Sequence, residues 1–302
     1  MGERSKVYMT DLRCRPGVSL LNKLEKLMRT AGIGEINFER KLVAIKMHFG
    51  EPGNLAFLRP NYAKVVADVV KSLGGVPFLT DCNTLYPGRR KNALEHLDAA
   101  YENGFSPLST GCQVIIGDGL RGNDDVEVPV EGAEYIQTAK IGKAIMEADV
   151  IISLSHFKGH EQTGFGGAIK NLGMGCGSRR GKMEQHAQGK PMVAPRRCVG
   201  CRRCATQCAH GAITFGEDRK ASIDWDKCVG CGRCIAVCNT DAIRPGNDAA
   251  MEELGCRMAE YAKAVVDGRP CFHVSLVMDV SPNCDCHGEN DVPIVPNVGM
   301  FA

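Results

Sequence analysis

The sequence predicts an α/β fold: a mostly parallel sheet with helices on both faces, interrupted by one small inserted module. Two observations carry this. Apolar runs of strand length alternate with stretches of helical periodicity, the pattern of parallel βαβ units joined by right-handed crossovers. Residues 190–247 break that alternation with paired cysteine clusters and no long periodic helix, and the α/β rhythm resumes after them.

In chain order, strands are expected at Lys6–Asp11, Leu42–Phe49, Val76–Thr80, Gln113–Ile116, Val150–Leu154 and Phe272–Val280. Helices are expected at Ser19–Thr30, Asn61–Leu73, Lys91–Asn103, Ile136–Ala148 and Ala249–Val266. In the second helix Tyr62, Val65, Val66, Val69, Val70 and Leu73 repeat at the spacing of one buried face. Gly74-Gly75 then supplies a left-handed stop. The chain thus divides into an α/β part (1–189), the module (190–247) and an α/β continuation (248–302).

The chain has 302 residues, 44% hydrophobic and 24% charged, with a formal net charge of +2. Near-neutral charge argues against nucleic acid as the main partner. No apolar run reaches the roughly 18 residues of a membrane span, and the N-terminus lacks a signal-type apolar core. The expectation is a cytoplasmic protein without a membrane partner. Sixteen cysteines stand out, and eight fall between Cys198 and Cys238. Such clustering without a signal sequence points to metal rather than disulfides.

"CVGCRRCATQC" sets Cys198, Cys201, Cys204 and Cys208 at C-x2-C-x2-C-x3-C, and "CVGCGRCIAVC" repeats it at Cys228, Cys231, Cys234 and Cys238. This is the pattern of a bacterial two-cluster ferredoxin, in which each loop gives three thiolates to one 4Fe–4S cluster and its fourth to the other. One cluster then takes Cys198, Cys201, Cys204 and Cys238, the other Cys228, Cys231, Cys234 and Cys208. The intervening "AITFGEDRKASID" fits a hairpin. C-x2-C pairs also bind zinc, but zinc sites rarely need the tripled spacing twice. The proline usual after the fourth cysteine is Ala209 in one repeat and Asn239 in the other. Arg202, Arg203 and Arg233 within the loops are either solvated charge or a docking face for an acidic electron-transfer partner.

"HFKGHEQTGFGGAIKNLGMG" packs two histidines, two lysines and six glycines behind an apolar strand. Ligands of a parallel sheet bind beyond the carboxyl ends of its strands, where His156, Lys158 and His160 fall. His48 and Asp81 end other apolar runs, and Asp118 follows a third. Lysines and histidines there favour a small anionic ligand, and Gly164, Gly166 and Gly167 would turn backbone N–H groups toward it, with Asn171 beside them. Any one of these histidines has an ordinary structural reading; their coincidence at strand ends is what points to a site. Cys284 and Cys286 form a C-x-C next to His287, which suggests a third metal site with Cys176 or Cys82, or plain core filling.

The segments "TDCNTLYPGRRKNALEHLDAAYENGF", "GCQVIIGDGLRG", "SHFKGHEQTGFGGAIKNLGMGCGSRRGK" and "SPNCDCHGENDVPIVPNVG" resemble a family of uncharacterised iron–sulfur-centre proteins, domain of unknown function 362. The resemblance spans nearly the whole chain and implies a two-cluster ferredoxin module inside an α/β domain. It also implies a C-terminal segment beyond Phe301-Ala302 that is absent here. One stretch is similar to nickel-pincer 2-hydroxyacid racemases, whose "GYSGGxK" resembles "GFGGAIK". That similarity implies His160 as acid/base, Lys170 as cofactor tether and His186 as nickel ligand, with His48 and His96 competing for a second acid/base. "KNLGMG" departs from the proline-containing continuation of that family.

The expectation is therefore an iron–sulfur redox protein, with a ferredoxin-coupled oxidoreductase as its candidate activity. Its two clusters would exchange electrons with a site holding His156, Lys158, His160, Lys170 and His186. The alternatives are a non-catalytic electron carrier or assembly partner, and a tethered-nickel racemase or oxidoreductase.

Overall fold

The computed structural model describes residues 5–302 apart from 86–87, 161–162, 188–189, 209, 229, 231, 247–250 and 291. The first half of the chain builds strands β1 (Met9–Thr10), β2 (Leu42–Lys46), β3 (Val76–Asp81) and β4 (Gln113–Ile116). Between them lie helices α1 (Leu20–Thr30), α2 (Pro60–Ser72), α3 (Ala93–Glu102) and α4 (Pro107–Thr110). Ser19 and Asn22 form a reciprocal cap at the start of α1, and Pro60 opens α2 where a missing N–H costs nothing. Gly74 stops α2 with a φ of 87°, as its sequence predicts.

A hairpin of β5 (Asp125–Pro129) and β6 (Thr138–Gly142) follows, then α5 (Lys143–Met146) and β7 (Val150–His156). The helix expected over Ile136–Ala148 is therefore only one turn. Ala139 and Ile141 are buried in alternation along β6, and strand pairing with β5 wins over the helical spacing of Ile136, Ile141 and Ile145. Next come β8 (Lys158–His160), β9 (Gly164–Gly166), α6 (Ala168–Cys176) and α7 (Arg179–Ala187). Glycine content hides α6 from a periodicity reading. Gly173 earns its place by packing, because a Cβ there would overlap the Met258 carbonyl oxygen of the facing helix.

The cysteine-rich stretch holds β10 (Pro191–Val193), α8 (Arg203–Gln207), β11 (Ile213–Phe215), β12 (Ala221–Ile223), α9 (Arg233–Ala236) and β13 (Ile243–Pro245). The chain closes with α10 (Met251–Val266), β14 (Cys271–Val277) and β15 (Gly299–Phe301).

The main sheet runs β1-β15-β14-β7-β2-β3-β4. Its five-strand core is parallel, and β15 pairs antiparallel with both β14 and β1 at the edge. Alternation along each strand sends side chains to two apolar layers. Val43, Ile45, Leu79 and Ile152 pack with α1 and α2, whereas Ala44, Phe78 and Ile151 pack with α6 and α10. Helices thus cover both faces, as the sequence predicts.

The chain moves outward from β2 through β3 to β4, then crosses to the other side of β2 to add β7 and β14. The strand order reverses between β2 and β7, and such switch points open crevices at carboxyl ends.

Candidate functional site

A cavity of about 520 Å³ lies where those carboxyl ends meet. Lys46 ends β2, Asp81 ends β3 and His156 ends β7, and all three line it. Asn171 from α6 stitches the switch point. Its amide donates to the carbonyls of Lys46 (3.1 Å) and Leu154 (3.3 Å), and its oxygen accepts from Lys46 Nζ at 2.8 Å.

Three buried ion pairs frame the cavity. Lys46 Nζ stands 3.1 Å from Asp81, Arg90 Nε 2.7 Å from Glu51, and Lys158 Nζ 3.1 Å from Asp285. Burial pushes Asp81 upward, but Lys46, His96 and Arg90 among its neighbours outweigh it and hold the carboxyl below its usual range. Burial likewise opposes ionisation of Asp285, and Lys158 and His156 overcome it. Buried charges of this kind are costly unless paired, and they concentrate at functional sites.

The histidines fall into distinct roles. His156 is buried, with Nδ1 2.9 Å from an Asp285 oxygen and Nε2 2.7 Å from the Met278 carbonyl. Both nitrogens are thus occupied by protein acceptors, which makes His156 a clamp on the loop carrying Asp285. His48 meets donors on both sides, Gly50 N–H at Nδ1 (2.9 Å) and Arg90 at Nε2 (2.9 Å). Burial and then Arg90 hold it well below the usual histidine range. His186 is pushed down to about 3 by burial, with Lys170 and His160 adding to it. His160 accepts from Thr163 N–H and lies in contact with its hydroxyl, at 3.2 and 2.9 Å. His48, His160 and His186 line the cavity. His96 does not; it sits in the core 3.9 Å from Asp81, against the edge of Phe49.

Lys170 also lines the cavity, and its Nζ lies 2.7 Å from Cys284 Sγ. Burial opposes its charge, but Cys284 and Cys286 hold the ammonium above the ordinary lysine range. The hydrogen bond from Cys286 to Cys284, together with Lys170 and Lys158, keeps the Cys284 thiol well below its usual range.

Eight of the residues expected at the strand-end ligand site converge on one cavity: His48, Asp81, His156, Lys158, His160, Lys170, Asn171 and His186. Gly164, Gly166 and Gly167 do not line it. The first two lie in β9, which pairs antiparallel with β8, and Gly167 precedes α6. Their backbone is spent on the hairpin, and Gly166 instead leaves room for the Lys170 chain. Asp118 is buried just outside, accepting from Asn83 N–H at 2.9 Å, and burial pushes it up to about 6. Of the suggested third metal set, Cys82, Cys286 and His287 line the same cavity, while Cys82 donates to the Cys176 carbonyl. Among the described residues, no three His, Cys, Asp or Glu side chains gather closely enough to hold a single metal ion.

Arg90, Lys46, Lys182, Leu85 and Cys286 also line the cavity. Lys46 carried a legible signal, a charge closing the buried strand "LVAIK". Arg90 and Lys182 carried none, since their loop and helix placement depends on tertiary contacts.

The cysteine-rich stretch is a structural duplicate. Gly200 and Gly230, Arg202 and Gly232, and Gly211 and Asp241 take positive φ at equivalent positions of the two repeats. The β11–β12 hairpin forms where expected, and β10 pairs with β13, so each repeat's first strand pairs with the other repeat's last. Cys208 and Cys238 sulfurs accept from Ala212 and Ala242 N–H at 3.4 and 3.2 Å, matched positions again. Cys198 accepts from Ala221 at 3.4 Å. Cys198 and Cys204 are buried, Cys201 is exposed, and Cys208, Cys228, Cys234 and Cys238 are half-buried. Cys231 lies outside the described residues. Arg202 and Arg203 are exposed, the former stacked over Phe215 at 5.2 Å.

Leu85 connects the two regions. It lines the cavity and packs in the apolar cluster of Cys198, Cys204 and Ile235. Lys91 reaches from the same crossover to the Cys238 carbonyl (3.3 Å) and to Asp241. Arg179 of α7 donates to the carbonyls of Thr84 (2.7 Å) and Lys91, bracing that crossover.

Among the described residues, no helix is long and apolar enough to cross a membrane. A family model described as "Domain of unknown function (DUF362)" matches residues 43–302. A curated relative, the "thylakoid-associated protein" of Synechocystis sp., is 29% identical over 163 residues, covering 52% of this chain and 46% of its own. Solved structures that align at low identity include the two that follow. The lactate racemase apoprotein of Thermoanaerobacterium thermosaccharolyticum gives a TM-score of 0.44 at 12% identity, over 87% of this chain and 46% of that one. A Thermotoga maritima protein gives 0.43 at 13%, over 96% and 55%. The chain spans about half the length of these proteins.

Proposed function

The chain belongs to the DUF362 family, and from that premise we propose that it is an iron–sulfur oxidoreductase acting on a small anionic substrate or bound cofactor. In this reading Cys198, Cys201, Cys204 and Cys238 hold one 4Fe–4S cluster, and Cys228, Cys231, Cys234 and Cys208 hold the other. The turn chemistry supports this reading: matched positive-φ loops recur in both repeats, and backbone N–H groups donate to the Cys198, Cys208 and Cys238 sulfurs, the kind of contact that tunes cluster potentials. Such clusters supply one-electron redox capacity.

The observation that carries the reading is Leu85, one side chain shared by the cavity wall and the cysteine core. Anion preference rests on charge: Lys46, Arg90, Lys158, Lys170 and Lys182 line the cavity, and Asp81, Glu51 and Asp285 pair the first three, leaving Lys170 beside Cys284 and Lys182 beside backbone carbonyls. Among the described residues Lys182 Nζ hydrogen-bonds the Gly177 and Gly175 carbonyls, and its charge favours ionisation of the nearby Asp118 and Asp81 carboxyls.

The test is anaerobic purification with iron and sulfide assay, about eight of each per chain being the requirement of two cubanes. Iron-free protein after reconstitution sinks the reading. With clusters intact, unchanged electron transfer in Lys182→Met and His160→Gln variants would favour the carrier alternative. A tethered-nickel 2-hydroxyacid enzyme draws on one observation, the shared cavity of His160, Lys170 and His186. It predicts nickel and added mass on Lys170, where the side chain here is engaged by Cys284.

A further inference from the structure

The loop after β14 is held more tightly than an ordinary connector. Gly159 N–H donates to the Ser281 carbonyl at 2.8 Å, and a Cβ on Gly159 would overlap the Pro282 carbonyl oxygen. On the other side Glu51 N–H donates to the Asp285 carbonyl at 3.1 Å, and Asn54 to that of His287 at 3.1 Å. Within this clamp Cys284 is buried against Lys170 and Cys286 reaches the cavity wall. Neither is in a disulfide, and the two sulfurs are hydrogen-bonded to each other. None of the roles given above to the cluster cysteines or the cavity histidines uses them.

We propose that Cys284 and Cys286 are a dithiol/disulfide couple whose substrate is a small anionic disulfide bound in the cavity. The inference rests on the anion-binding half of the proposed function and not on the clusters. Cys286 is the sulfur a ligand meets first, and Cys284, a thiolate paired with Lys170, accepts its proton. The Cys286 sulfur attacks the substrate disulfide, forming a mixed disulfide and expelling one substrate thiolate. Cys284 then loses its proton to the second substrate sulfur as it attacks Cys286, and the intramolecular disulfide closes. The dithiol is oxidised by two electrons, the substrate disulfide is reduced to one thiolate and one thiol, and the charge is conserved. Returning the disulfide to the thiol–thiolate pair takes two electrons and one proton, from an external dithiol or from one-electron carriers with the proton drawn from solvent.

The test uses the full chain, reduced and desalted anaerobically. It is treated with dithiobis(nitrobenzoate), a dianionic disulfide, or with neutral dithiodipyridine, then alkylated and mapped by peptide mass spectrometry. The expected product is a Cys284–Cys286 disulfide, formed at least tenfold faster with the dianion than with the neutral probe after correction for each probe's rate with free cysteine. In Cys284→Ser the reaction should stop at a mixed disulfide on Cys286, because the resolving thiol is gone. Lys170→Met should slow closure measurably, because the ammonium 2.7 Å from the Cys284 sulfur that favours its ionised form is gone, and Lys170→Arg should restore much of it. Wild-type protein whose Cys284 and Cys286 remain alkylatable after either probe overturns the inference, as does equal closure with both probes and in Lys170→Met. Iron-loaded protein with an inert dithiol sinks this inference alone. Iron-free protein with a working one sinks the cluster reading alone.

Discussion

Replacing Asp285 with Asn removes one charge and almost no volume, so the electrostatic cost is isolated. The carboxylate is buried, 2.9 Å from His156 Nδ1 and 3.1 Å from Lys158 Nζ. Asn can accept from only one of them and turns an N–H2 toward the other. Breaking a buried pair from one side costs about 3–5 kcal/mol, since the abandoned cation stays desolvated. Unfolding entropy of ~2.1 cal/mol/K per residue gives about 0.6 kcal/mol/K for a chain of this size, so Tm should fall by roughly 5–8 °C. The pH dependence has a fixed sign. Asp285 is held below its unfolded value of about 3.9, so its contribution is complete above that pH and fades as acid approaches the folded value. Urea titrations at pH 7 and at several points below pH 4 should show a wild-type acid loss that Asp285→Asn lacks. The double variant Lys158→Met/Asp285→Asn should recover part of the stability, because fewer buried charges are left unpaired. A single variant within 1 kcal/mol of wild type at neutral pH would refute the buried-pair reasoning.

His186 is held neutral by burial and its cationic neighbours, so the unfolded chain takes up its proton first as pH falls from about 6.5. His186→Gln should flatten the loss of urea stability between pH 6.5 and 4; an unchanged slope there refutes it. Gly173→Ala should lower Tm by several degrees because its Cβ meets the Met258 carbonyl, whereas Gly255→Ala in α10, with open space around it, should raise stability by about 0.5–1 kcal/mol. Thermal melts of the pair settle it, and a common sign would count against the close-packing account of α6 and α10.

The parallel sheet was legible because β2, β3 and β7 are continuous apolar runs, each closed by a polar residue at the functional edge. That same feature exposed His156 and Asp81 as site candidates. The glycine-rich stretch was misleading for a physical reason: its glycines serve helix contact and the β8–β9 hairpin, and tertiary packing outweighs their low helix propensity. α7 escaped because its buried face is polar, Arg179, Lys182, Gln185 and His186 being buried by partners distant in sequence. The doubled cysteine loops needed no tertiary information, since each loop's spacing and turn chemistry are local.

The crossover from β3 to α3 joins the cavity to the cysteine-rich core, and this sets a test that local stability cannot mimic. Its residues Asp81, Leu85 and Arg90 line the cavity, while Lys91 bonds the Cys238 carbonyl. Leu58 lines the same cavity but packs in the other apolar layer, with α2 and Val274. Truncating either leucine to Ala removes a buried side chain worth about 2–5 kcal/mol, so global destabilisation is comparable. Leu85→Ala also removes a wall of the cluster that buries Cys198 and Cys204. Under native conditions Cys198 and Cys204 in apoprotein should therefore alkylate faster in Leu85→Ala than in Leu58→Ala, after correction for measured stability. Loosening of the cavity, read as faster labelling of Cys286, should occur in both. Equal protection of Cys198 and Cys204 in the two variants would mean that Leu85 only fills space, and the link between cavity and cysteine core would fall.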